Sequence, residues 1–235
     1  MTRPNIIFIV ADDLGFADLG CYGGRDAQFG PVSPVLDSLA AGGLKFTQGY
    51  SNSPVCSPTR FALMTGRYHY RLRGGAEEPI RTSSRGSATL GLPPEHPSLP
   101  SLLRASGYRT ALIGKWHLGY PPHFSPLRSG YEEFFGPMSG GVDYFTHCSF
   151  TGAHDLWAGE AELQEPGYLT DLISRRAVGH LSFTGCSLWI DPELETCVVV
   201  LTNRIHPEVR DDPRFRALRP ALHDAALQAI GYRPG

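Results

Sequence analysis

Lysine is nearly absent from this sequence. Only Lys45 and Lys115 occur, and every other cationic side chain in 235 residues is arginine. Each lysine therefore stands out as a candidate for a particular task. No basic tract is present either. The 21 basic and 23 acidic residues leave a formal charge of -2, which lacks the strong positive field of a nucleic-acid or membrane-surface protein. The five cysteines, at positions 21, 56, 148, 186 and 197, are odd in number and irregularly spaced. They make neither a disulfide framework nor a C-x-x-C zinc pair. No apolar run approaches the ~20 residues that span a bilayer. The start, Met1-Thr2-Arg3-Pro4, runs straight into an apolar segment without the parts of a signal peptide. The expected location is thus cytoplasmic, with no nucleic-acid and no membrane partner. With 41% hydrophobic and 19% charged residues, the composition is that of a globular chain, long enough for one large domain or two small ones.

What is present alternates between strands and helices. Asn5-Ile6-Ile7-Phe8-Ile9-Val10-Ala11 is a continuous apolar run and predicts a buried parallel strand. Ser33-Pro34 predicts a helix start, with Val35, Leu36, Leu39 and Ala40 on its apolar face and Gly42-Gly43 as its stop. Helices are also predicted over Pro58 to Thr65, closed by Gly66, and over Leu99 to Ser106, ended by Gly107. A second buried strand is predicted over Tyr108 to Ile113. Residues 71–96 read as a long surface loop, and 119–150 as irregular. Tyr168 to Val178 predicts an amphipathic helix with Leu169, Leu172, Ile173 and Ala177 on one face. After Val178 the texture changes. Ser187 to Ile190 and Thr196 to Thr202 predict an antiparallel hairpin, followed by a terminal helix over about Asp212 to Ile230. The pattern predicts an α/β fold with a mainly parallel sheet and no internal repeats.

Three short segments carry chemistry. Asp12-Asp13 ends the first predicted strand, where open α/β sheets bind ligands. Paired carboxylates in a crevice ask for a hard cation such as calcium or magnesium, though taken alone Asp-Asp-Leu-Gly reads first as a solvated turn. Cys56 stands at a predicted helix N-terminus, which attracts anions, and Arg60 lies four residues on, on the same face. That convergence suits a tetrahedral oxyanion, but a lone C-x-P-x-R also recurs by chance around a structural cysteine. At extended spacing, Lys115 and His117 in Gly114-Lys115-Trp116-His117 would point to one side and could hold an anion and orient a nucleophile. Two unrelated polar residues at a strand end remain the alternative.

Taken together, PNIIFIVADDLGFADLGCYGG, CSPTRFALMTGRY, GYRTALIGKWHLG and GYEEFFGPMSGGVDYFTH, with EPGYLTDLISRRAV after them, resemble the sulfatase family, which shares the alkaline-phosphatase-like fold. The resemblance implies hydrolysis of sulfate esters of small molecules or sugars. It implies that a formylglycine-generating enzyme converts Cys56 to formylglycine, whose hydrate attacks sulfur and later expels sulfate. Asp12, Asp13 and the modified residue 56 would bind calcium or magnesium. Arg60 would offset charge on the hydrate, Lys115 would bind the sulfate, and His117 would hydrogen-bond the spare hydroxyl.

The resemblance covers about residues 1–178. The later sulfatase half, with its Pro-His histidine, its Asp-Asn or Asp-His metal pair and a second lysine, has no counterpart here, and no lysine follows Lys115. Residues 179–235 instead resemble the C-terminal hairpin and helix of serine β-lactamase-like hydrolases, around His180 to Gly185 and Ser187 to Pro192. That family's nucleophilic S-x-x-K is missing. Three expectations follow: a sulfatase-type hydrolase, a catalytically inactive hybrid that binds an anion or metal weakly, or a β-lactamase-like serine hydrolase.

Overall fold

Residues 5–11 have the composition of a buried strand, yet in the structure, a computed structural model, they adopt no regular form. Ile6, Ile7, Phe8, Ile9 and Val10 are all exposed. The structure describes residues 5–24, 30, 32–72, 79–183, 187–191 and 196–200, and the chain divides into two compact units, Met1–Ser51 and Asn52–Gly235. A parallel strand needs partners along its edges and cover on both faces. The described part of the first unit offers two 3-10 turns, Phe16–Asp18 and Gly20–Tyr22, and one helix, α1 (Pro34–Gly42), but no strand to pair with.

The start of α1 follows expectation, although Ser33 does not cap its backbone. The Ser33 hydroxyl accepts from the Gly20 N–H (2.8 Å) and donates to Asp37 Oδ1 (3.0 Å), which also accepts the Cys21 N–H at 2.6 Å. Lys45 Nζ donates to the Cys21 carbonyl (2.7 Å) and lies 5.6 Å from the Tyr22 ring centroid. One of the two lysines thus ties a turn to the segment that follows α1. Val35, Leu36 and Leu39, predicted as the packed face, are exposed. The described turns of this unit are too small to cover them.

In the second unit, α2 (Cys56–Thr65) ends as predicted: Gly66 is left-handed (φ 65°) and its N–H returns to Ala62 O at 2.8 Å. Helix α3 (Leu99–Ala105) opens with a reciprocal cap. The Ser98 N–H reaches Ser101 Oγ (2.8 Å) while the Ser101 N–H reaches Ser98 Oγ (3.2 Å), which satisfies two donors that a helix start leaves open. The sheet runs β1 (Ala111–Ile113), β2 (Glu133–Gly136), β3 (Trp157–Ala158), β4 (Ala161–Glu162), in that order. The β1–β2 pair is parallel, with Ala111 opposite Glu133 and Ile113 opposite Phe135, whereas β2–β3 and β3–β4 are antiparallel.

The chain therefore has an α/β fold, with a mixed sheet in place of the mainly parallel one expected. It is mixed because the segment after β2 returns through a tight β3–β4 hairpin, which can only pair antiparallel. The predicted strand over Tyr108 to Ile113 shortens to three half-buried residues, and β2 emerges from the stretch predicted as irregular. Helix α4 (Leu169–Phe183) buries Leu169 and Leu172 against Phe135 and Leu156, the face its period predicted. It continues past Val178, where the predicted helix stops, through residue 179 to Phe183. The hairpin β5 (Ser187–Asp191) with β6 (Thr196–Val200) forms as predicted, antiparallel with Ser187 opposite Val200. The predicted terminal helix lies outside the described residues.

The surface-loop expectation for 71–96 needs correction. Leu72, Ile80 and Leu92 are buried in the main core with Phe61, Trp116 and Met138. Burying each such side chain stabilises by roughly 1.5–3 kcal/mol, enough to fix the path of an otherwise polar segment. Among the described residues, no helix is long and apolar enough to cross a membrane.

Candidate active site

The approach to Cys56 is shaped by Ser53. Its Oγ accepts the Val55 N–H (3.1 Å) and its carbonyl accepts the Thr59 hydroxyl (2.6 Å), while the Thr59 N–H closes the first helical turn on Val55 O at 3.1 Å. Cys56 is thus the first residue of α2, a half-buried free thiol. Pro58 fits in this turn because its missing N–H falls among those without an intrahelical partner.

Two connections bring this helix end to the 114–117 segment. Arg60 Nη1 donates to the Lys115 carbonyl at 2.6 Å. The peptide of Ile80 makes the second. Its N–H donates to Ser57 Oγ (2.9 Å), and its carbonyl lies 2.8 Å from His117 Nε2. A carbonyl only accepts, so Nε2 carries the proton, and the basic lone pair of the neutral ring is on Nδ1. The neighbour of Cys56 and the imidazole of His117 therefore flank one residue, and Arg60 and Lys115 share one hydrogen bond.

Beyond β1 the backbone keeps pairing with residues 135–138. Gly114 N–H reaches Phe135 O (2.8 Å), Trp116 N–H reaches Pro137 O (3.0 Å), and His117 N–H reaches Met138 O (3.1 Å). The expectation that Lys115 and His117 share a side through strand alternation does not apply. Gly114 has φ 124° and His117 φ 57°, outside the strand region. Their directions are set by anchors instead. His117 is buried, and Trp116 is inserted in the core with Nε1–H on the Phe124 carbonyl (2.8 Å) and its ring edge-on to Tyr131, centroids 6.3 Å apart.

Tyr131 adjoins the arginine. Burial pushes its phenol up to about 12, and the charge of Arg60 pulls the other way. The folded state thus favours the neutral phenol, so Tyr131 contributes stability that is whole below the unfolded value near 10 and is lost as pH rises through about 12. Tyr131→Phe removes that loss. Urea unfolding should show the variant gaining roughly 1 kcal/mol on the parent protein between neutral pH and about pH 11. An unchanged difference across that range would contradict the assignment.

Asp12 and Asp13 lie in the first unit, both exposed, with Asp13 left-handed at φ 63°. Asp tolerates that conformation better than most residues, and two adjacent carboxylates are hard oxygen donors of the kind calcium or magnesium takes. The motif residues were readable from the sequence. The Ile80 peptide was not, because a backbone contact leaves no side-chain signature. Nor was Asp155, a buried carboxylate that accepts the Ser139 N–H at 2.7 Å, because a single acid in an apolar stretch makes no pattern. His147, inside a quoted motif, is a structural pin: it is buried, with Nε2 3.0 Å from the Gly167 carbonyl.

Residues 4–182 match the sulfatase family. Human steryl-sulfatase is 40% identical over 169 residues, 71% of this chain and 27% of that protein. Human arylsulfatase A is 46% identical over 135 residues, 57% of this chain and 25% of that protein. The crystal structure of Ps i-CgsB in complex with k-i-k-neocarrahexaose superposes with a TM-score of 0.67 at 34% identity, covering 77% of this chain and 42% of that one. The chain spans about a quarter of the length of the curated relatives it matches.

Proposed function

The chain belongs to the sulfatase family, and on that premise we propose that it carries the nucleophile-bearing part of a site that hydrolyses sulfate esters of small alcohols, sterols or sugars. The reading is supported by one observation above all: Arg60 is joined to the Lys115 backbone, while Ser57, beside Cys56, and His117 are joined through Ile80. Cys56, matured to formylglycine by a formylglycine-generating enzyme, supplies the attacking hydroxyl at the positive end of α2. Arg60 offsets its developing negative charge. Lys115 holds a sulfate oxygen, and His117 takes the hydrogen bond of the second hydroxyl at Nδ1, the nitrogen its Ile80 contact leaves basic. Asp12 and Asp13 would hold a calcium or magnesium ion, which would supply charge neutralisation for a sulfate group. Two carboxylates alone fall short of the six to eight oxygens calcium takes.

The second reading is a chain that binds an anion or a metal weakly without turning over an ester, through the cationic Arg60 and Lys115 and the carboxylates of Asp12 and Asp13. Without a proton donor to the leaving alcohol, the rate falls by roughly 10²–10⁴-fold. The third reading, a β-lactamase-like serine hydrolase in residues 179–235, finds no nucleophile of the S-x-x-K kind in this sequence, since Gly42 and Leu112 stand three residues before Lys45 and Lys115. The test uses the full chain, co-expressed with a formylglycine-generating enzyme. Intact mass should show Cys56 converted to the aldehyde. Hydrolysis of an aryl sulfate with calcium should exceed background and vanish in Cys56→Ala. Aldehyde without turnover selects the inactive reading, and turnover unchanged in Cys56→Ala removes the first.

A further inference from the structure

We propose that Asp155 is a positioning residue for His117, acting through Ser139 and Gly140; what the positioned ring then does rests on the sulfatase reading. Asp155 is 1% exposed and divides its two oxygens between two N–H donors. Oδ2 accepts from the Ser139 backbone and Oδ1 from Trp157 Nε1, each at 2.7 Å. Ser139 sits between the two residues that hold His117 in place. One residue before it, the Met138 carbonyl accepts the His117 N–H at 3.1 Å. One residue after it, Gly140 lies against the imidazole so closely that a Cβ there would fall 2.5 Å from Cε1 and 2.8 Å from Nε2. Only a residue without a side chain fits at that distance.

The ring is therefore clamped. Ile80 O fixes Nε2, the Gly140 backbone packs close to Cε1 and Nε2, and both Met138 and Gly140 are registered by the hydrogen bond from Ser139 to Asp155. Loss of that bond lets Met138–Gly140 shift, and with it the ring and its bond to Ile80. Which nitrogen is basic then ceases to be fixed. In the sulfatase reading, that nitrogen faces the hydroxyls of residue 56, so Asp155 would set catalytic geometry without touching substrate.

The alternative is that Asp155 merely satisfies the core around Trp157. Two variants separate these. Asp155→Asn keeps the shape but offers one acceptor and one donor, so it can serve only one of the two N–H groups. Trp157→Phe removes the other donor and leaves the Ser139 contact intact. The readout is ring-nitrogen NMR of His117 in the full chain, at a pH where imidazole is neutral. The parent protein and Trp157→Phe should show the single Nε2–H tautomer. Asp155→Asn and Gly140→Ala should lose it for a mixture while far-UV circular dichroism stays unchanged. An unperturbed tautomer in Asp155→Asn, or an equal loss in Trp157→Phe, overturns the proposal. If Asp155→Asn does not fold, the double variant Asp155→Asn/Trp157→Phe is read instead, because its amide oxygen is then available to Ser139. A restored tautomer supports the proposal and a mixture refutes it. No turnover is needed, so an inactive chain removes the sulfatase reading but not this one. Conversely, Cys56-dependent turnover with an undisturbed ring in Asp155→Asn removes only this one.

Discussion

Gly136→Ala is expected to destabilise the second unit by more than about 3 kcal/mol, a large part of the 5–15 kcal/mol that holds a typical domain together. Gly136 ends β2 with φ 146°, a conformation that side chains rarely adopt. A Cβ there would lie 2.2 Å from the Gly114 carbonyl oxygen and 2.9 Å from Gly114 Cα. The obstacle is backbone, so no rotamer change relieves it. The backbone strain alone is worth about 1–3 kcal/mol, and separating the two glycines pulls apart the pairing between residues 114–117 and 135–138. Gly66→Ala provides the scale. Gly66 is also left-handed, at φ 65°, but nothing lies within 4 Å of where its Cβ would be, so only the conformational cost of about 1–2 kcal/mol applies. Urea unfolding followed by tryptophan fluorescence should rank Gly136→Ala far below Gly66→Ala. Equal losses would mean that the close approach of Gly136 to Gly114 is not what requires glycine.

That glycine also shows where sequence reading succeeds and stops. Helices α1, α2, α3 and α4 were legible because their signals are local: a serine or proline at the start, glycine after the end, and a 3.6-residue period. The β5–β6 hairpin was legible for the same reason. Residues 5–11 were misjudged because apolar composition states what a segment would bury, not whether a partner is there to pair with it. Leu72, Ile80 and Leu92 were missed because isolated apolar residues among Gly, Arg and Ser have no period to detect. At the candidate site, the side chains of Cys56, Arg60, Lys115 and His117 were readable as motifs, but not the groups that orient them. Those are the Ile80 peptide, the Lys115 carbonyl, the bare face of Gly140 and the carboxylate of Asp155, and three of the four are backbone.

The same division of labour sets the second large effect, at Trp116. This residue separates the two site side chains, Lys115 and His117, and is itself 1% exposed. Trp116→Ala removes an indole from the centre of the core, where large-to-small changes of an aromatic cost about 3–5 kcal/mol. It also strips the Phe124 carbonyl of its Nε1–H donor. Trp116→Phe keeps most of the packing and loses only that donor, which places it at about 1–3 kcal/mol for an acceptor left buried. The indole does more than fill space: with its ring locked edge-on to Tyr131 and its nitrogen on Phe124, residue 116 cannot rotate about the chain. The left-handed turn at His117 is held in place from that fixed point. Trp116→Ala should therefore lower the unfolding free energy by at least twice the loss in Trp116→Phe, and should blur the Nε2–H signal of His117 even under conditions where the chain remains folded. A Trp116→Ala protein with a modest stability loss and an intact His117 tautomer would mean that the ring is held by Ile80 and Gly140 alone, and that the tryptophan serves the core without orienting the site.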